Sequence, residues 1–371
     1  MNPNRLLDLF LEIVRIESPS RKEGLMAKRC QQELLDLGFK VRFDDSASET
    51  GSETGNLIAY REGRSKGQIV LSVHMDTVQP CAGISPVVQD GVVRSAGDTI
   101  LSADDKAGVA GIFEALRSLI EADEDMPSVT VLLTTCEELS LLGSGALSED
   151  ELPAGAPCYV FDADGAPGTV ILGAPCHYTL RAAFSGRAAH AGVEPEAGVS
   201  AIQMAAAAVS AMRLGRLDDA TTANVGLIEG GREVNVVADS CTLAGECRSL
   251  YRDRADAQRQ AMTVALEEAA ARFGGSVDVS WREDYGPVLY QESDPLVQGV
   301  AAAARAVGLE PAFRYSGGGA DANILSARGV RAVTLGIGMT NFHSVDEFIT
   351  VQDLEGTARL AEELVRQAAR S

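Results

Sequence analysis

The chain has four histidines, His74, His177, His190 and His343, so each can be weighed as a ligand or a proton carrier. His74 and Asp76 lie in Leu71-Ser-Val-His-Met-Asp-Thr-Val78, directly after an apolar run. On an extended segment residues i and i+2 point the same way. The imidazole and carboxylate are then two metal ligands, or one ligand and the group that orients it. An ordinary polar strand end is the plain alternative. Asp104 and Asp105 stand in Leu101-Ser-Ala-Asp-Asp-Lys-Ala-Gly108, just before a helical pattern, where acids also serve as helix caps. Glu137 and Glu138 follow another apolar run. Exposed, such a pair is a solvated turn; at a buried strand end, one carboxylate can hold a cation while the other moves protons. Asp162 and Asp164 close the run Cys158–Phe161, and His343 lies in Asn341-Phe-His-Ser-Val-Asp-Glu347 after the turn Gly336-Ile-Gly338. So many acid or histidine clusters at strand ends exceed what capping explains.

Presenting these groups requires alternating strands and helices. Amphipathic helical patterns cover Pro3–Ile16 and Lys22–Leu37, the second ended by Gly38. Asn56–Tyr60 and Gln68–Val73 read as strands, Lys106–Ile120 as a helix, and Val129–Thr135 and Cys158–Phe161 as further strands. The pattern predicts an α/β three-layer domain with a mostly parallel sheet, whose strand ends converge on a crevice. The middle of the chain changes character. Strands are predicted at His177–Ser185, Asn224–Ile228, within Val234–Arg248 and at Ser276–Trp281, with helices at Ser200–Met212 and Arg254–Phe273. That β-α-β-β-α-β order is ferredoxin-like. From Asp294 the α/β pattern returns, with a strand at Arg331–Leu335 and a closing helix from Val351. The expected organisation is a catalytic domain in two segments, 1–175 and 290–371, interrupted by an inserted α+β domain over 176–289.

Composition narrows the partners. The 371 residues carry a formal charge of −21, which repels phosphate backbones and anionic bilayers, so neither nucleic acid nor a membrane is an expected partner. The seven cysteines are odd in number and form no CxxC pair, a reduced, cytoplasmic pattern. Residues 1–18 carry Asp8, Glu12, Arg15 and Glu17 and lack the apolar core of a signal peptide. A dinucleotide-binding enzyme is disfavoured, because no GxGxxG follows the early strands.

Taken in order, HMD, ADDKAG, EE, FDADG and NFHSVDEF resemble the motifs of the co-catalytic zinc exopeptidases of the peptidase T, carboxypeptidase G and aminoacylase superfamily, with peptidase T-like members nearest. The resemblance spans nearly the whole chain. It implies that His74 and Asp162 bind one metal ion, Glu138 and His343 a second, and Asp104 both. Asp164 is the rival to Asp162, which comes first after the strand. Asp76 would orient His74, Glu137 would be the general base, and a cis peptide would join Asp104 to Asp105. The implied cofactors are two divalent ions, zinc first, cobalt or manganese also suiting the donors. Such a pair, about 3.5–4 Å apart, shares a hydroxide and polarises an amide carbonyl.

In the inserted domain, Gly186-Arg-Ala-Ala-His-Ala-Gly192 resembles the family's lid segment, which implies a homodimer in which His190 completes the partner's site. Asn235 and Arg248 fall where the family places substrate contacts; a sheet-edge ion pair is the alternative for Arg248. Gly318 and Gly319 lie in Ser316-Gly-Gly-Gly-Ala-Asp321, where backbone N–H groups can approach a substrate carboxylate. Peptidase T reads Arg-Gly-Gly-Thr-Asp there, so Gly317 stands in the arginine's place. His177 matches no motif and reads as structural. The expected activity is hydrolysis of short peptides by an aminopeptidase. The rivals are an N-acyl amino-acid amidohydrolase or carboxypeptidase and, from another class, a metal-stabilised binding protein.

Overall fold

A computed structural model describes residues 1–370. The chain divides into two compact units, one of residues 1–173, 289–316 and 320 onward, the other of residues 174–288 with 317–319. In the first unit the central sheet runs in the order Lys40–Phe43, Leu57–Arg61, Ser128–Thr134, Gln68–His74, Pro157–Ala163, Arg331–Gly336, Thr169–Ala174. Its middle is parallel, with His74 opposite Thr134, Val70 opposite Cys158, and Ala332 opposite Cys158. The first two strands join it antiparallel. Central strands covered on both faces must be apolar on both. Ile69, Leu71 and Val73 accordingly enter a core shared with the helices Pro3–Ile13, Ala103–Glu121 and Val351–Arg370. Val70, Leu132, Cys158 and Val160 face the opposite way, against Ala322 and Leu325 of the helix Asp321–Ala327.

The second unit is a mixed α+β layer pair. Its antiparallel sheet runs Gly215–Arg216, Thr221–Gly230, Ser240–Ser249, Cys176–Ser185, Ser276–Tyr285. Alternation decides its faces: Cys176, Tyr178, Leu180, Ala182 and Phe184 pack on the helices Ala201–Ala211 and Arg252–Phe273. The intervening residues form the opposite face.

Three local features depart from the sequence-based expectations. The strand Pro157–Ala163 runs through Asp162, which was expected to follow it. The strand sought within Val234–Arg248 begins only at Ser240, because residues 235–237 pair with the loop around His190 instead. A hairpin, Pro86–Gln89 with Val92–Ser95, was not expected, although Asp90-Gly91 between two Val-Val pairs is a hairpin signal; it pairs with Phe348–Thr350. No described helix is long and apolar enough to cross a membrane.

Candidate metal centre and active site

Parallel strands of matched register bring their carboxyl ends to one edge, and the candidate residues of the first unit gather there. His74 ends its strand, and Glu137 and Glu138 follow Ser128–Thr134. The His74 Nε2 lies 3.0 Å from Asp104 Oδ1 and 3.6 Å from Asp162 Oδ1. The His343 Nε2 lies 3.3 Å from Asp104 Oδ2 and 2.9 Å from Glu138 Oε2. Asp104 thus offers one oxygen to each imidazole. Ligand atoms of His74, Asp104 and Glu138 lie within 4.8 Å of one another, as do those of His74, Asp105 and Asp162. Asp164 points elsewhere, exposed and 3.8 Å from Arg314.

Electrostatics test whether a cation fits. Besides Asp76, five carboxylates, on Asp104, Asp105, Glu137, Glu138 and Asp162, meet two imidazoles. Burial and the neighbouring Asp162 push the Glu137 and Asp105 carboxyls well above their ordinary range. Burial raises Asp162 to about 7, while burial and Asp104 raise Glu138. Asp104 alone is lowered: hydrogen bonds from His343 and His74 outweigh its burial. Donating to Asp104 and Glu138 pushes His343 up to about 10. One Asp105 oxygen is buried without a hydrogen-bond partner. Oxygen and imidazole donors in such excess of negative charge suit divalent ions, which favour the ionised carboxylates that burial disfavours.

The surrounding shell fixes these groups. His74 Nδ1 lies 2.9 Å from the Asp76 carbonyl oxygen and 3.5 Å from its carboxylate, so the main chain provides the closer orienting contact. A proton on Nδ1 leaves Nε2 free as a donor to an ion. The Asp76 carboxylate accepts instead from the N–H groups of Glu137 (2.9 Å) and Glu138 (3.3 Å) and from Ser20 Oγ (2.7 Å), tying the glutamate turn to the histidine strand. Asp105 accepts from the His74 N–H at 3.1 Å, and the Asp104–Asp105 peptide is cis.

Sequence reasoning did not single out Glu347. Its buried carboxylate accepts from the N–H groups of Leu101 (2.7 Å), Ser102 (2.8 Å) and Asp104 (3.0 Å), joining the loop of His343 to that of Asp104. The one available signal was its place inside the NFHSVDEF motif. Asp321, also unassigned, is buried and accepts from Thr134 Oγ1 at 2.5 Å. Ser102, Cys136 and His343 have φ of 62°, 50° and 61°, left-handed conformations that non-glycine residues seldom adopt and that collect at functional sites.

In the second unit the candidates form two groups. His190 is exposed on a loop whose Ala191 N–H donates to the Asn235 carbonyl oxygen (2.9 Å), and Asn235 is exposed as well. Arg248 reaches the Gly317 carbonyl oxygen at 3.5 Å, beside Gly318 and Gly319. The Gly319 N–H donates to Tyr285 Oη at 3.2 Å, so it is occupied within the protein, contrary to the expectation that it approaches a substrate carboxylate. A Cβ on Gly319 would lie 2.4 Å from the Tyr285 ring, which explains the glycine.

The sequence matches Peptidase family M20/M25/M40 over residues 70–367. It is 40% identical over 371 residues to the uncharacterised protein YqjE of Bacillus subtilis (strain 168), covering 100% of both chains. Among solved structures it is similar to the aminopeptidase PepT from Bacillus cereus ATCC 10987, with 38% identity, a TM-score of 0.91 and coverage of 100% of this chain and 99% of that one. It is also similar to a tripeptidase from Staphylococcus aureus, with 34% identity, a TM-score of 0.95 and 100% of each chain covered. On the family match and the end-to-end relative, the chain belongs to peptidase family M20/M25/M40 and is a metallopeptidase.

Proposed function

We propose that the chain is a dinuclear zinc-dependent aminopeptidase acting on short peptides. The observation that carries this is the carboxylate of Asp104, whose two oxygens lie 3.0 Å and 3.3 Å from separate imidazoles. His74 and Asp162 would hold one ion, Glu138 and His343 the other, with Asp104 between them. Bound there, the ions supply water activation and polarisation of the scissile carbonyl. Glu137, held through its own N–H by Asp76, takes the water's proton and returns it to the departing amine. Its burial excludes bulk water that would compete for that proton. The similar structures from Bacillus cereus and Staphylococcus aureus, an aminopeptidase and a tripeptidase, support short peptides as the substrates. The seven free, buried cysteines suit a reducing cytoplasm.

Assaying di- and tripeptides beside N-acetyl and N-carbamoyl amino acids, with zinc, manganese or cobalt, tests the reading. Cleavage of tripeptides with a free amino terminus is expected. Turnover of the N-acyl amino acids alone would contradict it and favour the amidohydrolase. One observation speaks for that second reading: Gly317, with open space around its missing Cβ, stands where peptidase T has an arginine.

The inserted unit is further proposed to dimerise, with His190 acting across the interface on the partner's substrate. Mixing His190→Ala with Glu137→Gln chains tests this, since one of the two sites in a mixed dimer would then be intact. Activity should return as subunits exchange. Exchange without recovery rejects the trans arrangement.

A further inference from the structure

Cross-strand register in the second unit places Arg248 opposite His177, and His177 opposite Tyr285. All three lie on the sheet face turned away from the two helices, as does Glu246 opposite Thr179. The strand Ser276–Tyr285 slips by one residue between Glu283 and Tyr285, leaving Asp284 as the extra residue. Strict alternation already puts Asp284, two residues after Arg282, on this face; the bulge re-aims Tyr285, which alternation would send to the helix face. Asp284 Oδ2 lies 3.1 Å from His177 Nδ1 and accepts from Thr179 Oγ1 at 2.5 Å.

On its other side the His177 ring has Nε2 2.9 Å from Glu246 Oε2. Glu246 in turn accepts from Arg248 Nη2 at 2.9 Å and from Nε at 3.3 Å. That paired contact fixes the plane of the guanidinium and leaves Nη1 directed at the Gly317 carbonyl oxygen. The His177 ring also lies 5.4 Å from the ring of Tyr285, whose hydroxyl holds the Gly319 N–H. Two contacts of this buried imidazole, Glu246 and Tyr285, therefore lead within one further residue to Arg248 and to Gly319. A histidine serving the sheet alone has no need of an acid on one side and a guanidinium-paired acid on the other.

We propose that His177 is a positioning residue for substrate binding: flanked by Asp284, it sets Glu246, which aims Arg248 at the carboxylate end of a short peptide. The proposal rests on the aminopeptidase reading above, in which Arg248 meets substrate. It predicts a particular kinetic pattern rather than a general loss. In the full-length, zinc-loaded protein, His177→Gln should raise KM for a tripeptide about tenfold with little change in kcat, the scale of one charge-assisted hydrogen bond. Arg248→Ala should raise KM at least as much. The double variant should be no worse than Arg248→Ala alone, because residues acting through one contact are not additive.

Wild-type chain that cleaves no tripeptide overturns the functional reading and this proposal together. Wild-type cleavage with additive effects, or a His177→Gln loss confined to kcat, overturns this proposal alone. Glu246→Gln, which interrupts the same path one residue later, is the second variant should His177→Gln fail to fold. If neither folds, the cluster serves stability and the proposal is wrong.

Discussion

Two clusters of acid and imidazole occur in this chain, and their charge balance differs. In the first unit five carboxylates, with Asp76 as a sixth, surround His74 and His343. In the second, Glu246 and Asp284 flank His177, and Arg248 and Arg282 pair with those same acids. The response of the carboxylates follows. Asp162 is pushed up to about 7 by burial among acids, whereas a hydrogen bond from His177, with Arg248 beside it, holds Glu246 down to about 2. The balanced cluster is complete in itself and suits positioning. The unbalanced one has the excess of acid that suits cations. A sequence displays the same residue types in both, so charge balance in three dimensions separates a candidate metal centre from a polar brace.

The largest predicted effect divides chemistry from metal binding within the unbalanced cluster. Glu137→Gln should lower kcat by about two to four orders of magnitude, the usual contribution of a general base, while elemental analysis still finds the metal content of the wild type. Loss of metal with the activity would instead make Glu137 a ligand. Next is Glu347→Gln, which replaces one acceptor oxygen at the Leu101–Asp104 loop with a donor. Zinc affinity measured by competition with a chromophoric chelator should fall about tenfold to a hundredfold, as for other outer partners of metal sites. Unchanged affinity would show that the loop holds its shape without Glu347.

The smallest effects are in pH dependence, and the two clusters should differ in sign. In metal-free protein, Asp162 has a folded value near 7 against an ordinary 3.8, so the folded state binds the extra proton between them. Its contribution is fully present below about pH 3.8 and is lost as pH rises through 7. Glu246 is depressed from 4.5 to about 2, so its contribution is present above about pH 4.5 and is lost as pH falls through 2. Urea denaturation at stepped pH should show Asp162→Asn flattening the first slope and Glu246→Gln the second. Slopes of one sign in both would remove the contrast.

Much of this was legible in the residues. Continuous apolar runs ending beside His74 and Glu137 located the parallel strands, and the β-α-β-β-α-β order anticipated the second unit's sheet. The joint order of HMD, ADDKAG, EE, FDADG and NFHSVDEF gathered residues far apart in the chain. What stayed hidden depends on contacts without local pattern. Glu347 meets Asp104 across 243 positions, and its place in the His343 motif gives no hint of that partner. Asp105 looked like a cap, yet it lies beneath His74 because the helix Ala103–Glu121 is non-helical at Asp104 and Asp105. Tyr285 stands opposite His177 only through a bulge, and a period-two reading assigns it to the wrong face. The N–H of Gly319 seemed available until Tyr285, 34 positions earlier, was found to hold it.

The central claim is that excess negative charge marks the cluster that binds cations. Isothermal titration of chelator-treated protein with zinc, read beside elemental analysis, tests it most directly. Two equivalents per chain are predicted, reduced by His74→Ala and by His343→Ala and unchanged by His177→Gln. Fewer than one equivalent in the wild type, or a stoichiometry that His177→Gln alters and His74→Ala does not, would contradict the account.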